Sequence, residues 1–137
     1  MIKIIETQNC ISFNILGKNR LASAEFNSMT WEHIVEEDLE KVLSLNKHAK
    51  ELKWFWFARL IVPDGFEPKN AAILLMKEVS SWVDKQQNVA IFDCINPYGR
   101  LSLDGIIKLN LLFGFNLLDP KGVMVRLPKK MRNEENV

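Results

Sequence analysis

The chain has 137 residues, 47% of them hydrophobic and 26% charged, the composition of a soluble globular protein with room for one domain and a core of its own. With 18 Lys and Arg against 17 Asp and Glu the formal net charge is +1, so no overall field favours nucleic acid or anionic membrane. No apolar run reaches the roughly 18 residues of a membrane span. The start, MIKIIETQN, is too short and too polar for a signal peptide. Of the two cysteines, Cys10 and Cys94, the second stands in the apolar run VAIFDCI, which suits a buried free thiol better than a disulfide. The expectation is a cytoplasmic protein.

IKIIETQ reads as a strand. In CISFNIL, Ile11, Phe13 and Ile15 alternate with Ser12 and Asn14, so one face is apolar and the other polar. GKNR is a turn, and LASAEFN continues as the paired strand, giving a hairpin over residues 10–27. From Thr30 the period lengthens. Trp31, Val35, Leu39 and Val42 recur at helical spacing, with Glu32, Glu36, Glu37 and Glu40 between them. WFWFARLIV is nearly continuous apolar and aromatic sequence, as a central strand covered on both faces requires. Its Trp54 and Trp56 alternate with Phe55 and Phe57, which reads as core packing on two faces rather than base stacking.

Asn70 is the expected N-cap of the next helix, whose inner stripe is Ala72, Leu75, Met76, Val79 and Trp82. VAIFDCI is a second central strand, broken by NPYG. Ser102 caps a helix carrying Ile106, Leu109 and Phe113 inward, GF ends it, and GVMVRLP is a last strand. The polar tail 129–137 is expected to be disordered. The order β-β-β-α-β-α-β-α-β implies an α/β domain over residues 1–128, built on a mixed sheet with helices on its faces. In such sheets ligands bind at the carboxyl ends of central strands, here at Val62 and Ile95 and the turns that follow.

From residue 54 to residue 128 the chain resembles the GNAT superfamily of acetyl-coenzyme A-dependent N-acetyltransferases. ARLIV is similar to the family's fourth strand, AAILLMKEVSSWV to the long helix after its pyrophosphate loop and IFDCINPYG to its fifth strand. LDGIIKLNLLFGF resembles the helix ending L-Y-x-x-x-G-F, and MVRLP the closing strand. NPYG, FGF and MVRLP together look most like small members from phages and prophages. The resemblance implies a mostly antiparallel mixed sheet whose central strands splay apart, acyl-coenzyme A as donor, and an amine as acceptor. The first half departs from the family. The two helices it usually places between its first and second strands are missing here, and they usually form part of the acceptor site.

The family's loop, R/Q-x-x-G-x-G/A, brings backbone N–H groups and a helix N-terminus to the pyrophosphate. Counting from RLIV, its three named positions fall here on Glu67, Asn70 and Ala72; a one-residue shift gives Phe66, Lys69 and Ala71. The middle glycine is absent in either alignment, and Pro68 removes a donor. Asn70, Ala71 and Ala72 are expected to offer free N–H groups, and Lys69 a charge. PKN before a small-residue helix is also similar to the turn of Mom-type phage DNA-modification enzymes. Pro68 and Asn70 equally well just start a helix.

Acyl transfer to an amine needs a base, polarisation of the thioester carbonyl and an acid for the thiolate. By resemblance, backbone N–H groups at Leu60, Ile61 and Val62 polarise the carbonyl. Asn110 stands where the family has its tyrosine acid, and an amide donates a hydrogen bond but delivers no proton. Tyr98, the single tyrosine, is the other acid candidate, against a packed turn aromatic. Asp93 and Glu25 are base candidates, against a bonded buried carboxylate and a solvated strand face. Asn96 and Ser102 are assigned to the cofactor site, Ser102 also as a cap. His33 and His48 read as exposed helix residues, and no metal-ligand spacing exists. Two alternatives to the acyltransferase stand. One is a nucleic-acid-modifying relative using Lys47, Lys50, Lys53, Arg100, Lys129, Lys130 and Arg132. The other is a non-catalytic GNAT-like interaction protein. Monomer and homodimer both fit the sequence.

Overall fold

The computed structural model describes residues 2–17, 20–93 and 102–131. In chain order the elements are β1 (Ile2–Glu6), β2 (Cys10–Leu16), β3 (Leu21–Met29), α1 (Glu36–Leu45), β4 (Lys53–Ile61), α2 (Pro68–Gln86), β5 (Asn88–Asp93), α3 (Leu103–Leu112), β6 (Asn116–Leu117) and β7 (Val123–Arg126). Short 3-10 turns occupy Trp31–His33 and Ala49–Glu51. The strands make one seven-stranded sheet in the order β1-β2-β3-β4-β5-β7-β6. Its pairs are antiparallel except β4 with β5. The mixed α/β class read from the sequence is therefore present; β6 is an added short strand.

The β2–β3 hairpin has the expected register. Ile11 pairs with Phe26, Phe13 with Ala24 and Ile15 with Ala22, and all six side chains are buried. Small alanines opposite bulky partners leave space for α2, whose Trp82 packs on Phe13 and Phe26 with ring centroids 5.5 and 5.6 Å apart. The opposite face is polar: Ser23 Oγ donates to Asn14 Oδ1 over 2.8 Å.

Two cores lie on the two faces of the sheet. One gathers Phe13, Phe26, Phe57, Leu60 and Phe92 with Leu75, Val79 and Trp82 of α2 and Ile106 of α3. The other gathers Trp54, Val89, Ile91 and Val125 with Val42 of α1. Trp54 is buried there and its Nε1 donates to Ala49 O over 2.9 Å. The alternation of Trp54 against Phe55 and Phe57 thus does divide these residues between faces; Trp56 is left partly exposed.

A bulge re-phases β4. Phe26 pairs with Phe57 and Glu25 with Arg59, so Ala58 is the extra residue. Before it, Phe55 and Phe57 point to the α2 side; after it, Leu60 and Val62 do. Without the bulge, Arg59 would fall on that core face. A bulge also sharpens local twist and bends its strand. The ladder between β4 and β5 runs from Lys53 and Asn88 only to Trp56 and Ile91. Beyond that point β4 stays with β3, and β5 with β7.

Three boundaries differ from the sequence reading. The first helix starts at Glu36, not near Thr30; Ile34 and Val35 are extended, and Val35 is exposed. The acidic turn Glu36, Glu37 and Asp38 supplies the start, where the helix dipole favours carboxylates. Residues 129–131, assigned to the tail, continue the fold: Met131 is buried, Asn46 Nδ2 donates to its carbonyl, and Lys129 N–H donates to Asp84. The third boundary is the start of α2, described below. Among the described residues no helix is long and apolar enough to cross a membrane.

Candidate functional site

The two helices that follow the parallel strands, α2 and α3, lie on the same side of the sheet and enclose a groove of about 720 Å3. From α2 the wall is made by Lys69, Ala72 and Ile73, and from α3 by Ser102, Leu109 and Phe113 among others. Three predicted cofactor residues, Lys69, Ala72 and Ser102, are thereby brought to one place. Ser102 caps α3 as expected: its Oγ accepts from Gly105 N–H over 3.1 Å. A Cβ at Gly105 would sit 3.0 Å from that oxygen, so the small residue keeps the cap tight. The Ser102 hydroxyl hydrogen remains available to donate.

The N-terminus of α2 differs from the expectation. The cap is Glu67, not Asn70, because Pro68 takes the first helical position it favours. Glu67 Oε2 accepts the Asn70 N–H over 2.6 Å. The Ala71 N–H donates to Glu67 O over 3.0 Å, and Ala72 lies past the four residues whose N–H groups a helix leaves open. Of the amides expected to be free, Asn70 is taken by a carboxylate, and Ala71 and Ala72 are inside the helical ladder. Lys69 contributes the free positive charge at this tip, and Lys108 on α3 a second across the groove. Glu67 opposes both.

The turn leading into α2 is fixed to the β2–β3 hairpin. Gly65 has φ +98°, a conformation suited to glycine. Arg20 Nη1 donates to Asp64 O over 2.9 Å. Phe66 lies so close to Gly17 that an added Cβ there would meet its ring at 2.7 Å.

The predicted strand residues do not line the groove. Leu60 and Val62 are buried in the core on the α2 side, and Ile61 is on the opposite, more exposed side. Asp93 ends β5 opposite Val123, also outside the groove. Asn110 is fully buried: the helix turns it inward with Ile106, one position round from Leu109, and it is not among the residues that line the groove. Tyr98, Asn96, Cys94, Arg100 and Arg132 lie outside the described residues.

Other candidates are engaged elsewhere. Glu25 forms a two-point pair with Arg59, at 2.9 and 3.0 Å, on the face opposite α2. That pairing removes it as a base for this groove. The Cys10 thiol is held above its ordinary value by burial and then by Glu25, against the pull of Arg59; it stays protonated at neutral pH and is a poor nucleophile. His48 contacts Glu51 at 3.2 Å and His33 contacts Thr30 at 3.3 Å, both away from the groove. Among the described residues no group of three His, Cys, Asp or Glu is placed to hold a metal ion.

Sequence reasoning missed Lys108, Leu112 and the capping role of Glu67. The signal for Glu67 was Pro68 itself. Leu112 is 83% exposed and lies outside the inward stripe of Ile106, Leu109 and Phe113, on the outer side that also carries Asp104 and Lys108. Comparison with models of known families, with curated proteins and with solved structures gave no match.

Changing Glu67 to glutamine retains a cap oxygen and removes the charge beside the groove. Stability should change by less than about 1 kcal/mol, which urea denaturation checks.

Proposed function

We propose that the chain is a GNAT-type N-acyltransferase that binds acyl-coenzyme A in the groove between α2 and α3. One observation carries the reading. β4 and β5 are adjacent and parallel, their ladder stops at Trp56 and Ile91, and the helix following each strand forms one wall of the groove. Carboxyl ends of parallel strands that part company are where an open α/β sheet takes a ligand. The lining supports an amphipathic anion. Ile73, Ile106, Leu109 and Leu112 offer apolar walls, and Lys69 and Lys108 offer charge for phosphate oxygens. Ser102 adds a hydroxyl donor. In this reading the protein acts mainly by holding thioester and amine together.

The test is a calorimetric titration with acetyl-coenzyme A. Wild type binds it. Lys69→Glu and Lys108→Glu each lower affinity at least tenfold at low salt, with a smaller loss at high salt where exposed charges are screened. No heat of binding and no thermal shift at millimolar acetyl-coenzyme A overturns the assignment.

A second reading, a GNAT-like protein that binds without transferring, is favoured by two observations. Asn110 is buried rather than facing the groove, and Glu67 occupies the Asn70 amide. Release of free coenzyme A thiol in the presence of simple amines decides between them: turnover removes the second reading, and binding without turnover supports it.

A further inference from the structure

β1 is one edge of the sheet. It pairs with β2, and no strand lies on its other side among the described residues. An edge strand presents unpaired N–H and C=O groups to any strand that approaches. The opposite edge, β6, is only two residues long. β1 is five residues, IKIIE, without proline, and Ile4 and Ile5 are each 48% exposed. They point to opposite faces, since Ile4 pairs with Phe13 and Ile5 with Ser12. Each face of the edge therefore carries an exposed isoleucine, Ile4 between Ile2 and Glu6 on the helix side and Ile5 beside Lys3 on the other. One carbonyl, that of Lys3, accepts from Asn14 Nδ2 over 3.1 Å.

The neighbouring helix has a self-complementary rim. α2 crosses from β4 to the parallel β5, so it runs antiparallel to β4. Three successive antiparallel pairings, β4 with β3, β3 with β2 and β2 with β1, make β1 antiparallel to β4 as well. Helix and edge strand thus run the same way. Between them is a cleft of about 140 Å3 bordered by Ile4, Glu6, Glu78, Trp82 and Lys85.

We propose that β1 is a homodimer interface, with a second copy of this chain adding its own β1 antiparallel to the first. A twofold axis normal to the sheet keeps the helix-covered faces on the same side. Side chains of paired residues must share a face, so residues of equal parity meet. Centred on Ile4, the register places Ile4 against Ile4 of the second copy on the helix side, and Lys3 against Ile5 on the other. The two α2 helices then run antiparallel above the joined edges. Glu78 faces Lys85 of the second copy, and Lys85 faces its Glu78, as an isologous contact demands. The exposed isoleucines and the paired rim charges are both accounted for by one partner.

Sedimentation equilibrium on the full chain tests this. Wild type is expected at twice the monomer mass at micromolar concentration. Ile4→Lys puts two ammonium groups at the axis and should give a monomer with an unchanged circular dichroism spectrum. Glu78→Lys and Lys85→Glu should each raise the dissociation constant roughly tenfold, and the double reversal should restore it. A wild type that stays monomeric at high concentration overturns the proposal. So does a dimer indifferent to Ile4→Lys, or single charge reversals that leave the dissociation constant unchanged.

Discussion

Replacing Asp84 by alanine should remove about 3 kcal/mol of stability, because it strands a buried guanidinium. Arg126 is 4% exposed and lies in β7. Its Nη1 and Nη2 donate to the two Asp84 oxygens over 2.7 and 3.2 Å, and its Nε donates to Phe113 O over 2.7 Å. One side chain thus ties the end of α2, the end of α3 and β7 together. Asp84 further accepts the Lys129 N–H over 2.8 Å, which holds the chain after β7. Removing one partner of a fully buried pair costs about 3–5 kcal/mol; Asp84 is 32% exposed, so the lower end applies. Exchanging both, as Asp84→Ala with Arg126→Met, should recover most of the loss, since an apolar isostere leaves no unpaired charge. Urea denaturation of the two single variants and the double measures the coupling. A single-variant loss below about 1 kcal/mol would show that the pair is effectively solvated.

The second large effect is expected at Phe57. Its ring stacks on Phe92 of β5 at 3.8 Å between centroids and meets Phe26 of β3 edge-on at 5.6 Å. Phe57 and Phe92 are each the first residue past the last rung between β4 and β5. Where backbone pairing stops, ring stacking takes over as the link between the two strands. Phe57→Ala opens a cavity in the larger core and should cost about 3–5 kcal/mol. It should also loosen the parting strands and weaken the proposed binding of acetyl-coenzyme A beyond what the stability loss explains. Phe57→Leu, which keeps much of the volume, should lose less of both. Denaturant midpoints, with titrations run where each variant is fully folded, separate the two effects.

How much of this was legible in the sequence depended on contrast between neighbouring residues. The hairpin was readable because Ile11, Phe13 and Ile15 alternate with polar side chains, and the register follows from that alternation. In residues 54–62 there is little contrast. The strand was recognisable, but the bulge at Ala58, which puts Phe57 and Leu60 on one face, left no mark in an almost wholly apolar run. The start of α1 was misplaced because Trp31 and Val35 fall at helical spacing although the backbone there is a 3-10 turn followed by extended residues. The cap of α2 was misassigned because Asn70 is the better capping residue by type, whereas Pro68 fixes the position. On α3 the inward stripe of Ile106, Leu109 and Phe113 was legible, but the burial of the Asn110 amide and the exposure of Leu112 were not, because residue type alone would exchange the two.

The most direct measurement is a titration of acetyl-coenzyme A into isotopically labelled protein, following backbone amide resonances. The reading of the groove as the donor site predicts saturable shifts concentrated at residues 67–73 of α2 and 102–113 of α3, with Lys69 and Lys108 among the largest. Shifts centred instead on the distant cleft around Trp31 and Lys50, or no shifts at millimolar ligand, would contradict it.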